Sequence, residues 1–260
     1  MKVLAIDSSG MVASVALAED DVLRAEFIIN DKKTHSQTLL PMLEQLRQMI
    51  GLELDTVDAI AVAAGPGSFT GLRIGSATVK GLGLALQKPL VEVPTLEALA
   101  YNLYGTDRLV CPMMDARREQ VYTGLYEYAR EGAGGAGSPG SPDRPGCVEE
   151  QERYELRVLK DQCAVEVAEI VEQCNRLGRE VIFLGDGVPV YREQIRERIK
   201  VPYALAPAHV NRQRAGSVAA LGILYASRGR TVDAGAHQPI YLRKSQAERE
   251  REEADGHTGA

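Results

Sequence analysis

Ala59-Ile60-Ala61-Val62-Ala63-Ala64-Gly65-Pro66-Gly67-Ser68-Phe69-Thr70-Gly71-Leu72-Arg73 is the stretch on which the fold turns. Six apolar residues in a row have the length and character of a buried strand. The glycine-rich turn that follows stops that strand, and residues from about Leu72 to Gln87, rich in small side chains, read as a helix. A strand leaving through such a turn into a helix is the basic unit of an α/β fold.

Upstream, Val3 to Asp7, Ala13 to Ala18 and Val22 to Ile29 read as three strands joined by connections short enough only for antiparallel hairpins. Between His35 and Ile50 the apolar residues Leu39, Leu43, Leu46 and Ile50 fall at i, i+4, i+7 and i+11, one face of a helix. Pro41 is tolerated there because it lies near the first turn. Downstream come a strand at Leu90 to Val93 and a helix from Thr95.

The second half repeats most of this order. Strands are expected at Leu109 to Met114, Gln120 to Tyr128 and Tyr154 to Leu159, then a helix across Cys163 to Cys174. A strand at Val181 to Leu184 runs into Gly185-Asp186-Gly187, a helix follows through Arg192 to Lys200, and another spans about Arg214 to Arg228. Asp7 to Gly65 is 58 positions and Asp115 to Gly185 is 70. The excess is accounted for by Ala133 to Gly146, 14 residues of which eight are Gly or Pro, a composition that cannot offset its own ordering entropy. The expectation is a two-lobed α/β fold of the actin-like, sugar-kinase and Hsp70 (ASKHA) type, a duplicated βββαβα. The lobes are expected at 1–107, with a contribution from the helix near 214–228, and at 108–213, with a flexible insertion at 133–146 and a solvated tail at 244–260.

With 260 residues, 45% hydrophobic and 25% charged, the chain has ordinary globular composition, so wholesale disorder is excluded. No run of 18 apolar residues occurs, and Asp7 comes too early for a signal-peptide core, so a cytoplasmic protein without membrane insertion is expected. The net charge of -6 arises from 30 basic and 36 acidic side chains mixed along the chain, which disfavours unaided nucleic-acid binding. Cys111, Cys147, Cys163 and Cys174 contain no C-x-x-C, and no two of the four histidines stand at i, i+4, so neither a zinc ribbon nor a helix-borne metal site is expected.

The turn from Gly65 to Gly71 has two readings. Its amides and the positive end of the following helix can hold an anion, or its glycines simply admit a close helix–strand approach. It is neither a Walker loop, since Leu72-Arg73 follow Gly71, nor a nucleophile elbow. Arg73 stands where it can clamp a phosphate or meet a partner's carboxylate. Asp7, at a strand end, has the position of a carboxylate that holds hydrated magnesium, or of a turn residue before Ser8-Ser9-Gly10. His35 begins a helix beside Thr34 and Ser36, where capping or an interface contact is favoured over catalysis.

These residues resemble a known family. Val3-Leu4-Ala5-Ile6-Asp7-Ser8-Ser9, His35-Ser36 with Leu39-Leu40-Pro41, Gly65 through Gly75, Met114-Asp115-Ala116-Arg117-Arg118 with Val121-Tyr122, and Pro239-Ile240-Tyr241-Leu242-Arg243 are similar to the bacterial TsaB (YeaZ) proteins over nearly the whole chain. The resemblance implies a subunit of the complex that installs threonylcarbamoyl on the adenosine beside the anticodon of tRNA. It implies TsaD as the catalytic paralogue and heterodimer partner, the ATPase TsaE as a further partner, a homodimer when the chain is alone, and contact with tRNA through the complex. It implies no cofactor of this chain's own and leaves ATP or ADP at the interface with TsaD open. Asp7, Gly65, Gly67, Ser68, Phe69, Thr70 and Arg73 then form a candidate nucleotide or interface loop. His35, Leu39, Leu43, Arg73, Ala77 and Lys80 form the candidate partner face on the first two helices.

TsaD carries His-x-x-x-His on the helix that corresponds to Thr95-Leu96-Glu97-Ala98-Leu99 here. An alcohol is a poor ligand and an isobutyl group none, so the resemblance implies a subunit with no catalytic or metal-binding residues of its own. Two readings compete: an ATP-dependent kinase or ATPase using Asp7 and Gly185-Asp186-Gly187, and a metallopeptidase.

Overall fold

The computed structural model describes residues 1–31, 34–130 and 153–243. The insertion and the tail expected from the sequence lie outside the described residues. Each half follows the order strand, strand, strand, helix, strand, helix, strand, helix. The first comprises β1 (Lys2–Asp7), β2 (Ala13–Glu19), β3 (Val22–Ile29), α1 (His35–Ile50), β4 (Ala59–Gly65), α2 (Phe69–Leu86), β5 (Leu90–Pro94) and α3 (Thr95–Tyr101). The second comprises β6 (Leu109–Arg117), β7 (Gln120–Arg130), β8 (Tyr154–Glu166), α4 (Val167–Leu177), β9 (Val181–Leu184), α5 (Gly187–Arg198), β10 (Tyr203–Leu205) and α6 (Ala215–Ser227).

The two sheets have equivalent orders, β3-β2-β1-β4-β5 and β10-β9-β6-β7-β8. In the first, the hairpins β1–β2 and β2–β3 are antiparallel and β1–β4–β5 parallel. Side chains alternate across it with period two. Leu4, Ile6, Val15, Leu17, Ile60 and Val62 pack under α1 and α2, with Leu39, Leu43 and Leu46. Val3, Ala5, Ala16, Ala59, Ala61 and Ala63 face the other way, toward α6. That face is mostly alanine because α6 comes very close: a Cβ on Gly222 would sit 2.7 Å from the Ala61 Cβ.

The last helix of each half reaches the sheet of the other half. α6 packs on the first sheet with Val218, Leu221 and Tyr225, while α3 sends Leu96, Leu99 and Ala100 into the core of the second. This exchange makes the lobes interdependent.

Three expected boundaries shift. The helix expected from Cys163 begins at Val167, because β8 pairs with the long β7 as far as Gln120↔Glu166 and residues 163–166 are taken into the ladder. The helix expected through Arg192 starts at Gly187, directly after the glycine turn. The α2 helix begins at Phe69 and not Leu72, because the Ser68 hydroxyl caps it by accepting the Gly71 amide. The three-residue β10 was not expected; it pairs in parallel with β9.

Candidate functional site

At the end of β4 the chain turns through a cis Gly65–Pro66 peptide into α2. The Gly65 amide donates to the Thr95 hydroxyl at 3.1 Å, the Ser68 amide to the Ser9 carbonyl at 2.7 Å, and the Gly71 amide to Ser68 Oγ at 3.3 Å. A Cβ on Gly67 would meet the Ser9 carbonyl oxygen at 2.2 Å, and one on Gly71 would meet that of Ser8 at 2.1 Å. One on Gly75 would meet Ser8 Oγ at 2.4 Å. The glycines therefore let α2 lie directly on the Ser8–Ser9 turn, and three amides of the turn are used inside the chain. Of the two sequence readings of this loop, close packing accounts for its glycines. Phe69 stacks on Tyr241 with centroids 4.8 Å apart, and Thr70 is exposed.

Asp7 is buried beneath the same turn. Its Oδ1 accepts the Ser9 amide at 2.8 Å and the Ser9 hydroxyl at 2.6 Å, while Oδ2 has no hydrogen-bond partner among the described residues. Burial pushes this carboxyl above the usual range, against the Ser9 hydrogen bonds and nearby His35. His35 Nε2 lies 2.8 Å from the Gly10 carbonyl oxygen, so this side chain fastens α1 to the β1–β2 turn. The Gln213 amide lies over Gly10 so closely that a Cβ there would be 2.7 Å from Nε2.

In the second half, Asp115 Oδ1 accepts from the Arg117 amide at 2.8 Å and the Tyr191 hydroxyl at 3.0 Å. Asp186 Oδ1 accepts the Asp115 amide at 3.2 Å, and burial raises the Asp186 carboxyl. Gly185 is needed where it stands: its φ is +112°, and a Cβ would be 2.1 Å from the Met113 carbonyl oxygen. These acids are hydrogen-bonded parts of two turns.

Thr95 and Leu99 are both 0% exposed. Thr95 is occupied by the Gly65 amide, and Leu99 lies in the second core, its Cδ2 3.2 Å from the position of a Gly185 Cβ. Among the described residues there is no group of three His, Cys, Asp or Glu side chains able to hold a metal ion.

The exposed face of α2 consists of Thr70, Arg73, Ala77, Gly81, Leu84 and Ala85, with Leu84 61% exposed. Among the described residues a Cβ on Gly81 would meet nothing within 4 Å, so no contact there explains that glycine. Two residues of the candidate partner face are corrected: Leu39 and Leu43 are buried in their own lobe, the side of α1 that the i, i+4 spacing had marked as apolar. The outward side of α1 carries Leu40, 55% exposed, and Met49, 70% exposed. Lys80 is half-buried, its Nζ donating to the His237 carbonyl at 3.1 Å.

Sequence reasoning missed how the segment after α6 binds the molecule together. It runs first along β5 and β4: Val232 bridges Leu90, His237 Nδ1 lies 2.6 Å from Glu92 Oε1, and the Ile240 amide donates to the Ala64 carbonyl at 2.7 Å. Arg73 Nε donates to the Tyr241 hydroxyl at 3.3 Å and Arg243 Nη1 to the Ala116 carbonyl at 2.7 Å. Only the similarity of Pro239 through Arg243 to a family motif marked this segment in the sequence.

Residues 22–251 match the family model described as "TsaD: tRNA N6-adenosine threonylcarbamoyltransferase". The chain is 33% identical over 248 residues, 95% of its own length and 96% of the relative's, to the "tRNA threonylcarbamoyladenosine biosynthesis protein TsaB" of Bacillus subtilis. It is 36% identical over 135 residues to the protein of that name from Escherichia coli, covering 51% of this chain and 58% of that one. Among solved structures it is similar to "YeaZ from Pseudomonas aeruginosa", with TM-score 0.68, 28% identity, and coverage of 93% of this chain and 100% of that one. A second Pseudomonas aeruginosa structure, described as similar to peptidase YEAZ, superimposes with TM-score 0.72, 28% identity, and coverage of 93% and 99%. The two-lobed α/β architecture is that of these neighbours, and end-to-end similarity in both sequence and structure places the chain in the TsaB (YeaZ) family.

Proposed function

We propose that this chain serves tRNA threonylcarbamoyladenosine biosynthesis as a non-catalytic subunit that binds and activates TsaD. The observation that carries this reading is the fate of Thr95 and Leu99. Where the resemblance places the paralogue's paired imidazoles, this chain has a hydroxyl spent on a backbone amide and an alkyl group spent on core packing. Neither can be turned to a cation without unpacking α3. The exposed face of α2 offers a surface for a partner, where the small Ala77 and Gly81, between Arg73 and Leu84, leave room for a helix to approach, flanked by Leu40 of α1. A face of this kind, shared by two paralogues, also pairs with itself when TsaD is absent.

Mixing the purified chain with TsaD and measuring mass by light scattering tests the reading. A heteromer at micromolar concentration is expected, and Ala77→Arg should weaken it at least tenfold. Two free species at that concentration overturn it.

The unpartnered Oδ2 of Asp7 favours one alternative, an ATP-dependent kinase or ATPase. Calorimetry of the isolated chain with magnesium and ATP separates the two, since tight binding with turnover belongs only to the enzyme.

A further inference from the structure

The hairpin joining β6 and β7 has an unusual tip. Arg117 pairs with Gln120 in register, leaving Arg118 and Glu119 as a two-residue loop. Arg117, Arg118 and Glu119 have φ of 61°, 55° and 60°. Two-residue hairpin loops that need positive φ at both positions take Asn-Gly or Asp-Gly, because a side chain in the left-handed region costs about 1–2 kcal/mol per residue. Here two long cations and an acid occupy it. Strain of this kind persists where surrounding contacts over-determine it, and is found disproportionately at functional positions.

The surrounding contacts are present. Asp115 Oδ1 holds the Arg117 amide and the Tyr191 hydroxyl, and the Arg243 guanidinium holds the Ala116 carbonyl. The tip is thus fixed from α5 and from the strap, while the Arg117 and Arg118 side chains are exposed. Neither makes an ion pair among the described residues, in contrast to Arg108, Arg179 and Arg214, which pair with Glu180, Glu127 and Glu26. The same edge continues through Arg243 to Tyr241, which stacks on Phe69 and accepts from Arg73. Four arginines and two stacked rings therefore line one edge of a chain whose net charge is -6, against three carboxylates, Glu119 and the hydrogen-bonded Asp115 and Asp186.

We infer that this edge, centred on Arg117 and Arg118 of the hairpin tip and Arg243 of the strap, docks the phosphate backbone of an RNA. Guanidinium groups carried on a fixed backbone, with no carboxylate to satisfy them, suit phosphate oxygens, and such contacts position a nucleic acid without reading its bases. The inference rests on the proposed place of the chain in tRNA modification for the choice of RNA. The edge meets the proposed TsaD face at Arg73, so an RNA lying on it would run toward the partner.

The test uses the full chain alone, with an unmodified tRNA transcript, by fluorescence anisotropy at 20 mM and at 150 mM salt. Arg117→Asn with Arg118→Asn is the variant of choice, because asparagine tolerates the left-handed region and the fold is retained. The net charge of -6 disfavours unaided binding at 150 mM salt, but the local arginine cluster should give wild-type binding at 20 mM, weakened about tenfold in the double variant, with the slope of log affinity against log salt shallower by about 1 to 2. Arg196→Ala, in a surface pair on α5, should change neither. Absence of wild-type binding at low salt, or equal affinity and slope in the double variant, overturns the inference. Because TsaD is not in the assay, its failure is distinct from failure to form the heteromer.

Discussion

The Gly65 amide and the Thr95 hydroxyl meet across 3.1 Å at the junction of β4 and α3. Both residues are buried, so this bond is the Gly65 amide's substitute for water. Thr95→Val keeps the shape and removes the acceptor, leaving a buried N–H unpaired. Stability should fall by about 1–3 kcal/mol, whereas Thr95→Ser should recover most of the loss. Urea denaturation of the three chains measures this directly.

Two glycines of α2 should respond in opposite directions to the same change. Gly81→Ala adds a methyl group to open space in a helix interior and should stabilise by about 0.5–1 kcal/mol. Gly71→Ala places its Cβ 2.1 Å from the Ser8 carbonyl oxygen and should cost about 1–3 kcal/mol or more, because backbone has to move. Thermal midpoints of both variants check the sign. If Gly81 is kept for a partner, the stabilised Gly81→Ala chain should also bind TsaD less tightly.

The contrast between these glycines reflects what was legible in the sequence and what was not. Periodicity carried the element order, because Leu39, Leu43 and Leu46 truly share one face and the strands alternate as their burial requires. The partner face implied by the resemblance included Leu39 and Leu43, although an apolar stripe marks the side of a helix that its own core takes, and that is where both residues lie. Gly67 and Gly71 were visible as glycines, but only coordinates show that the Ser9 and Ser8 carbonyls fill the space beside them. The strap was nearly illegible because main-chain groups hold much of it: the Ile240 amide bonds the Ala64 carbonyl, and Val232 bridges Leu90. Such bonds leave little trace in side-chain pattern.

Asp7 should report its burial through pH. The unfolded carboxyl ionises near 3.8, and burial raises the folded value above this. Between the two, the folded state retains a proton that the unfolded state has released, so this residue's contribution to stability falls as pH rises through that window. Asp7→Asn removes the effect. The variant should gain on wild type as pH rises from 4 to 7 in urea midpoint, and a pH-independent difference would contradict the buried carboxyl. In the non-catalytic reading the variant also retains full capacity to activate TsaD.

Glu26 of β3 satisfies an end of α6 that the helix itself leaves open. Its Oε1 accepts the Gly216 amide at 2.8 Å, its carboxylate pairs with Arg214, and Ser14 Oγ accepts the neighbouring Ala215 amide at 2.9 Å. Arg214, the residue before the helix, supplies no side-chain cap, so the first-turn amides depend on β2 and β3. The Glu26 side chain is 7% exposed, which makes the loss of its oxygens costly. Glu26→Ala should destabilise by about 2–4 kcal/mol, combining an unpaired amide with an unpaired, partly buried guanidinium. Glu26→Gln, which keeps an acceptor for Gly216 but no charge for Arg214, should cost roughly half as much. Hydrogen exchange locates the effect: the amides of residues 215–218 should lose protection in Glu26→Ala before those of β1 and β4, because a helix end that has lost its acceptor frays before the sheet beneath it opens.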